Sequence, residues 1–420
     1  MASVVCTMLA ITACHNTEIT EEKEDWSKPA DHTLLMYLVG DNSLSTLLEN
    51  NVRDAQKAIL DSVMSGSINL VVMKDNNKQG DSTPSLYWVH RNDKMGLDTV
   101  MIKQWDQEEN TASTDFLADA LKLTFSRFDT KIKGIALGSH ASGWTPLTNN
   151  NPYPAPQRRA FGFDDKNNPV ASIELWDLAA TLRNGPKLDY LLMDCCHMGT
   201  VEVAYEMRDV ARYMLACPTE DEGAGLPYCN IVTALSRISD VSRLPKVLDY
   251  CGRCYFDANA RFTSGATIAL YDLSLMPQLA DAYRQLIQAN SARLATYATA
   301  TGDVIDQWIA PMQHYGREAD GLHNRYYFFD ITSIIDWLAE ADPTAAAQVR
   351  NIVEKAVIAK YSTSVYRGIN ITQYSGMAVG LPEVLHLASV RSHASHFSPF
   401  DERKLKRCYQ LTAWGAYMGY

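Results

Sequence analysis

Two adjacent cysteines near the middle of the chain are the first candidates for chemistry. They lie in the segment 190–203, YLLMDCCHMGTVEV, where an apolar run ends in Asp194, Cys195 and Cys196. A thiolate is a strong nucleophile, and a helix N-terminus beside it favours the anion. Because Gly199 is followed by a helical pattern, the segment predicts a nucleophilic cysteine at the carboxyl end of a strand.

A histidine has the same setting in an earlier segment. Residues 134–144 read GIALGSHASGW, so His140 directly follows an apolar run that predicts a buried strand. A histidine near the thiol can move its proton during nucleophilic catalysis. A histidine after a strand is also commonly structural, and a thiol among apolar residues is commonly part of the core. The pair alone therefore leaves both roles open.

The elements that must position these residues alternate along the first half of the chain. Apolar runs predict strands, at 31–41, 68–74, 86–90, 99–102, 133–138 and 188–193. Amphipathic patterns predict helices, at 43–64, 113–128, 173–182 and 200–213. The short runs at 86–90 and 99–102 predict a hairpin at one edge. This order predicts an α/β fold with a mainly parallel sheet and helices on both faces.

The second half of the chain, 231–420, has a different pattern. Helices are predicted at 239–256, 275–297 and 343–361, separated by strand-like runs at 266–273, 326–331 and 376–382. We predict a mixed α/β C-terminal region, which is either a second domain or an extension of the same sheet.

Composition limits the function classes. The 420 residues carry a net charge of −11, and 46% of them are hydrophobic. This indicates a folded protein for which nucleic acid is an unlikely partner. Of nine cysteines, Cys251 and Cys254 have the spacing of a redox motif, but they lie in a helical pattern, so a structural role is the better interpretation.

The N-terminal residues resemble an export signal. Residues 4–13 are apolar but shorter than the roughly 20 residues that span a bilayer. The sequence that ends at Cys14, ITAC, resembles a lipobox, in which the cysteine is lipid-modified. We expect a signal segment at 1–14, a linker at 15–30 and an exported, periplasmic or cell-surface lipoprotein. The alternative is an ordinary N-terminus, since the segment before the apolar run lacks Lys and Arg.

Several motifs together resemble the clostripain-like cysteine peptidases, bacterial relatives of caspases, legumains and gingipains. The family has a strand ending in His-Gly-x-Gly-Trp, a strand ending in Asp-Ala-Cys-Leu-Met-Gly, and a helix beginning Val-Glu-Val-Ala-Tyr-Glu. The matching residues here are 139–144, 194–199 and 201–206, and the segments 34–44 and 218–228 also resemble the family. The resemblance implies a caspase-like catalytic domain over 31–230, which the region 231–420 completes.

The resemblance also implies roles for single residues. Cys196, and not Cys195, aligns with the nucleophile, and His140 aligns with its proton-transfer partner. The backbone N–H groups of Ala141 and Cys196 are expected to bind the oxyanion. Asp194 is expected to bind an Arg or Lys at P1, the substrate residue before the cleaved bond. Ala141 and Cys195 depart from the family's usual Gly and Ala.

The same resemblance leads to expectations about self-cleavage and about cofactors. Self-cleavage between Arg159 and Ala160, in the loop 145–168, would suit an Arg-specific site, with Lys166 as the second choice. We expect no cofactor and no metal ligand set, with calcium at Asp164, Asp165, Asn167 and Asn168 as an alternative that lacks EF-hand spacing. The expected partners are protein or peptide substrates with a basic P1 residue. Nucleic acid is not expected as a partner, and contact with a membrane is expected only through a lipid at Cys14. The alternative function is an inactive surface lipoprotein that binds peptides or partners.

Overall fold

The structure is a computed structural model of the chain. It describes the following ranges: 30–61, 67–76, 83–92, 94, 96–106, 109–145, 161–164, 171–221, 224–298, 307, 311–315, 328–384 and 399–420. The signal segment, the Arg159–Ala160 bond, Lys166 and three of the four calcium candidates lie outside these ranges.

The strands are numbered along the chain. Those of the largest sheet are β1 His32–Gly40, β2 Asn69–Asn76, β3 Ser85–Arg91, β4 Leu97–Gln104, β5 Ile132–Gly138, β8 Tyr190–Asp194, β9 Tyr213–Ala216, β10 Thr267–Asp272 and β12 Val357–Ser362. The short pairs are β6 Phe161–Asp164 with β7 Ala171–Ile173, β11 Phe329–Asp330 with β15 Ala378–Val379, and β13 Val365–Tyr366 with β14 Ile369–Asn370.

In the largest sheet the strand order is β12-β10-β9-β8-β5-β1-β2-β3-β4. The five central strands, from β9 to β2, are parallel to one another. The outer strands on both sides pair antiparallel. This confirms the predicted mainly parallel sheet and the hairpin at its edge. All nine residues of β1 are buried, as expected of a central strand covered on both faces.

The helices are numbered in the same way. They are α1 Ser45–Asp61, α2 Thr114–Arg127, α3 Leu175–Asn184, α4 Val201–Glu206, α5 Tyr228–Leu235, α6 Leu244–Asn259, α7 Met276–Ala289, α8 Ser291–Tyr297, α9 Ile331–Leu338, α10 Pro343–Ala356, α11 Pro399–Leu411 and α12 Ala413–Met418. Short 3₁₀ turns lie at Met207–Asp209, Val241–Arg243, Leu273–Leu275 and Pro382–Val384.

Two hydrophobic cores lie on opposite faces of the sheet. Alternate residues of β1 divide between them, with Leu35 and Tyr37 in one core and Leu34 and Met36 in the other. The first core is covered by α2, α3, α4 and helices from the C-terminal half, and the second by α1, α5 and α6. Helices therefore cover both faces, as the sequence pattern predicted.

The connections reverse direction between β1 and β5. From β1 the chain crosses through α1 to β2 on one side, whereas β5, β8 and β9 follow in turn on the other side. In open α/β sheets, ligands bind outside the carboxyl ends of the strands where this reversal occurs. The ends of β1, β5 and β8 are therefore the expected place for a site.

Two helices that the sequence predicted are too long. The predicted helix 200–213 ends at Glu206 and a 3₁₀ turn, and Tyr213–Ala216 is strand β9. The predicted helix 343–361 ends at Ala356, and Val357–Ser362 is strand β12. In both cases apolar residues with a spacing that fits a helix belong to a strand stabilised by pairing with β10, a contact distant in sequence.

The second half of the chain contributes β10 and β12 to the same sheet. The predicted boundary at residue 230 remains a prediction. Among the described residues, no helix has the length and hydrophobicity needed to cross a membrane.

Candidate functional site

The parallel pairing of β5 with β8 places His140 and Cys196 at equivalent positions. Gly138 pairs with Asp194 at the end of the two strands, and each candidate lies two residues further along its chain. Neighbouring strands are about 4.8 Å apart, so the chain leaves the sheet at adjacent positions before the two residues.

The loops that carry the two residues are in close contact. Gly143 has φ +61°, and a Cβ at this position would lie 2.5 Å from the carbonyl oxygen of His197. A larger residue would force the histidine loop away from the cysteine loop. The requirement for glycine in the matching motif therefore has a direct packing reason.

A serine at the end of β1 binds the imidazole of His140. The Ser43 hydroxyl oxygen lies 2.9 Å from His140 Nε2. Because Ser43 lies three residues beyond Gly40, the last residue of β1, this contact spans the point where the connections reverse. Ser43 was not singled out from the sequence, although its position just beyond a strand end is the signal that identified His140.

The Cys196 sulfur contacts the backbone of Asp221. The Asp221 N–H donates to Sγ at 3.3 Å, and Sγ lies 3.9 Å from the Asp221 carbonyl oxygen. Burial, followed by the negative charges of Asp221 and Glu220, raises the pKa of the Cys196 thiol to about 12. The expected favouring of the thiolate by the following helix is therefore wrong for this state. Helix α4 begins only at Val201, and burial and the acids have the larger effect.

Cys195 and Cys196 have different environments although they are neighbours. Cys195 is 2% exposed and packs in the hydrophobic core, whereas Cys196 is only partly buried. Both thiols are free. Burial also raises the pKa of Cys195. Of the two thiols, Cys196 is the one that a substrate can reach.

Asp194 is buried, and its carboxylate accepts several hydrogen bonds. Asn51 donates to Oδ2 at 3.2 Å, Tyr228 to Oδ2 at 2.9 Å, and the Leu226 N–H to Oδ1 at 2.8 Å. Burial raises the pKa of Asp194, and the hydrogen bonds from Tyr228, Leu226 and the Asp221 side chain act in the opposite direction. Asp194 thus holds Leu226 and Tyr228 against the sheet, and the Asp221 side chain is near enough to affect the pKa of Asp194.

A network of charged residues borders the thiol on its other side. Arg367 lies at the turn between β13 and β14, and its Nη1 is 2.5 Å from Glu220 Oε2. The other carboxylate oxygen of Glu220 is 3.9 Å from His197 Nε2. The positive charge of Arg367 opposes the rise in the pKa of Cys196. These contacts join residues distant in sequence, so the chain order alone offered no signal for Arg367.

His197 adopts a backbone conformation that is uncommon outside glycine. Its φ is +59°, its N–H donates to the Thr219 carbonyl at 2.8 Å, and its ring stacks on Phe328 at 4.5 Å. Because these contacts fix a strained residue directly after Cys196, they fix the direction in which the cysteine loop turns.

Helix α4 is attached to the C-terminal half of the chain. Thr200 caps the helix by accepting from the Val203 N–H, and the Ala378 N–H donates to Gly199. The buried Glu202 accepts from the Gly380 N–H at 2.7 Å, and burial raises its pKa to about 7. These contacts hold the end of the cysteine loop in place.

The structure also describes four further residues that the sequence analysis considered: Ala141, Asp164, Cys251 and Cys254. Ala141 is buried and does not have a positive φ, so its backbone does not require the glycine usual in the family. Asp164 is a buried residue of β6, and no cluster of three or more acidic, His or Cys side chains suited to a metal occurs within the described ranges. Cys251 and Cys254 are free thiols on α6 with raised pKa values, unlike redox thiols.

Comparison with known proteins agrees with this geometry. Residues 36–417 match the sequence model of the clostripain family. No curated protein matches the chain. A secreted C11 cysteine protease from Bacteroides thetaiotaomicron, solved with an irreversible peptide inhibitor, is 21% identical, with 93% of this chain and 99% of that chain covered and a TM-score of 0.69.

Two further solved structures are similar. An inactive zymogen C11 protease from Parabacteroides distasonis is 21% identical, covers 93% of this chain and 98% of its own, and has a TM-score of 0.68. Iotapain, a secreted C11 cysteine protease from Bacteroides thetaiotaomicron, is 20% identical, with coverage of 93% and 99% and a TM-score of 0.70. These likenesses confirm the predicted caspase-like α/β fold.

Proposed function

The chain belongs to the clostripain family of cysteine peptidases, and we propose that it is an endopeptidase that cleaves after Arg or Lys. Cys196 is the nucleophile and His140 its proton-transfer partner. The observation that supports this best is the β5–β8 register, in which His140 and Cys196 each follow by two residues the paired Gly138 and Asp194 at the carboxyl edge of the sheet.

The proposed reaction has two stages. Cys196 attacks the carbonyl carbon of the scissile bond while its proton moves to His140. The N–H groups of Ala141 and Cys196 bind the oxyanion of the tetrahedral intermediate. His140 then gives the proton to the leaving amine, and a thioester forms. Water, deprotonated by His140, hydrolyses the thioester and restores the free thiol.

Asp194 and Asp221 support the preference for a basic P1 residue. The Asp221 side chain is near enough to Asp194 to affect the pKa of that carboxyl group, and the Asp221 backbone N–H contacts the thiol. A carboxylate has about four acceptor sites, and Asn51, Tyr228 and Leu226 use three of those on Asp194. A guanidinium could replace the contact with Asp221 and bridge the two acids. Bidentate pairing of this kind favours Arg over neutral side chains.

Self-cleavage between Arg159 and Ala160 belongs to the same proposal. The bond lies between His140 and Cys196 in the chain, outside the described residues, and has the basic residue that such a site would accept. A structurally similar relative is an inactive zymogen. N-terminal sequencing should find a new terminus at Ala160 in the wild type and not in Cys196→Ala. Identical single chains in both would contradict it.

Export is also proposed, with a lipid anchor at Cys14. Two of the similar solved structures are described as those of a secreted C11 cysteine protease from Bacteroides thetaiotaomicron. Cell fractionation with radiolabelled palmitate should place label on the wild type and not on Cys14→Ala. Equal label in both would exclude the anchor.

Hydrolysis of fluorogenic peptides tests the function directly. The wild type should release aminomethylcoumarin from P1 Arg or P1 Lys peptides under reducing conditions, and Cys196→Ala should not. Cys195→Ala is the matched control, because it removes the neighbouring buried thiol and should keep activity. No release by the wild type, with or without calcium, would instead favour a scaffold that only binds peptides.

A further inference from the structure

The resting site is poorly arranged to ionise its own nucleophile. Burial and the acids Asp221 and Glu220 all raise the pKa of Cys196, and only Arg367 and the Asp221 N–H oppose them. The opposing charge of Arg367 is itself paired with Glu220 at 2.5 Å. A thiol in this setting is almost entirely protonated at neutral pH, although the thiolate is the reactive species.

The same segment forms the thiol's environment and the proposed P1 subsite. Asp221 contacts Sγ through its backbone at 3.3 Å, and its side chain reaches Asp194. A cation bound between the two carboxyl groups therefore lies close to the thiol. Its charge would offset the negative charges that now disfavour the thiolate, by ordinary Coulomb attraction in a partly buried site.

The ionisable groups that face the thiol come from several parts of the chain. They are Cys195 before the thiol, Cys217, Glu220 and Asp221 after β9, and Tyr366 and Arg367 of the hairpin β13–β14. Asp194 precedes the thiol by two residues, and His140 occupies the equivalent position after β5. Arg367 is a positive charge that lowers the pKa of the thiol, so a second cation nearby would shift the local balance further in the same direction.

We infer that the positive side chain of a P1 Arg or Lys activates the nucleophile that attacks its own peptide bond, because it separates the Asp194 and Asp221 carboxyls and offsets the negative charge that faces Cys196. The thiol proton passes to His140 as the cation binds, and no other reactant is needed. Substrate selection and nucleophile activation then depend on one event. This inference rests on the proposed P1 subsite.

Alkylation of the thiol tests the inference without peptide hydrolysis. The thiolate displaces iodide from iodoacetamide and forms a carbon–sulfur bond, so the rate at Cys196, followed by mass spectrometry of its peptide, reports ionisation. Propylguanidine serves as a P1 Arg side chain without a peptide bond. Propylurea is its neutral counterpart of the same shape and serves as the matched control.

Propylguanidine should accelerate alkylation of Cys196 at pH 7 by about tenfold or more, since each unit of lowered pKa raises the thiolate fraction tenfold. Propylurea should not accelerate it, and Asp221→Asn should weaken the acceleration. Simple protection by propylguanidine, equal acceleration by both compounds, or no binding of propylguanidine by calorimetry would each overturn the inference.

The result can be separated from the proposed function. If the wild type hydrolyses P1 Arg reporters but shows no acceleration of alkylation, the peptidase proposal is supported and activation of the thiol by the substrate is contradicted. If the wild type shows the acceleration but hydrolyses neither Arg nor Lys reporters, activation of the thiol by a bound cation is supported and the peptidase proposal is contradicted. Because both measurements use the wild-type chain, neither depends on whether a buried variant folds.

Discussion

The ends of β5 and β8 are neighbours in the sheet but hold their reactive residues in different ways. The imidazole of His140 contacts an uncharged hydroxyl group, that of Ser43. The thiol of Cys196 lies among Asp221, Glu220 and Arg367. The Ser43 contact orients the imidazole at the histidine end, whereas burial and the neighbouring charges set the pKa of the thiol at the cysteine end.

Each end also carries a histidine, which allows a matched comparison. His140 follows β5 at the position equivalent to that of Cys196 after β8, and His197 stacks on Phe328 and supports the loop. The proposed reaction gives the proton-transfer role to His140 and none to His197.

The largest effect is expected at His140. His140→Asn should lower kcat/KM for a P1 Arg reporter by about 10²–10⁴-fold, the usual contribution of general acid–base catalysis. His197→Asn is the control, since asparagine tolerates the positive φ at this position, and it should retain most of the activity. Equal losses in both variants would remove the distinction between the two histidines.

A smaller effect is expected at the carboxylate of Asp194. Asp194→Asn should lower the ratio of P1 Arg to P1 Leu cleavage by about 10- to 100-fold, as for the loss of a hydrogen bond to a charged group. Asp54→Asn is the control, because Asp54, like Asp194, accepts a backbone N–H, in its case that of Cys229 on α5 at 2.8 Å. An unchanged ratio in Asp194→Asn would show that P1 is selected elsewhere.

The hydroxyl of Ser43 should have a moderate effect. Ser43→Ala should lower kcat by about tenfold with little change in KM, because loss of a net hydrogen bond of about 1.5 kcal/mol frees the imidazole to turn. Ser43→Thr keeps a hydroxyl and should restore most of the rate. Steady-state kinetics with a P1 Arg reporter would measure both effects. An unaltered kcat in Ser43→Ala would show that contacts other than Ser43 orient His140.

The charges at the cysteine end should give the smallest changes, in opposite directions. Glu220 raises the pKa of Cys196, so Glu220→Gln should increase the thiolate fraction and speed iodoacetamide alkylation at pH 7. Arg367 lowers that pKa, so Arg367→Gln should slow it. Both side chains are partly exposed, and solvent should limit each change to a few-fold. Shifts in the same direction would contradict the charge argument.

Much of the fold could be predicted because the central strands are buried on both faces and therefore read as continuous apolar runs. β1 and β5 illustrate this. The continuous apolar runs also made the strand ends recognisable, and with them His140 and the two adjacent cysteines. The resemblance to the clostripain-like peptidases was needed to choose Cys196 over Cys195. The helix predicted over 200–213 was too long because Tyr213–Ala216 gains its strand conformation from pairing with β8 and β10, which local spacing does not reveal.

The charged part of the site could not be predicted for a related reason. Arg367 follows Cys196 by more than a hundred residues and meets Glu220 only through the hairpin β13–β14. The expected effect of α4 on the thiol was judged from sequence neighbours alone. The acids that outweigh it come from the segment after β9, which packs on the thiol only in the folded chain.

Covalent labelling with an Arg chloromethyl ketone tests the central claim most directly, because it requires the nucleophile, its partner and the basic P1 preference together. Peptide mass spectrometry should find one label, on Cys196, in the wild type, and almost none in His140→Asn at the same time of reaction. A label on Cys195 or another cysteine, or equal labelling of Cys196 in both proteins, would contradict the account.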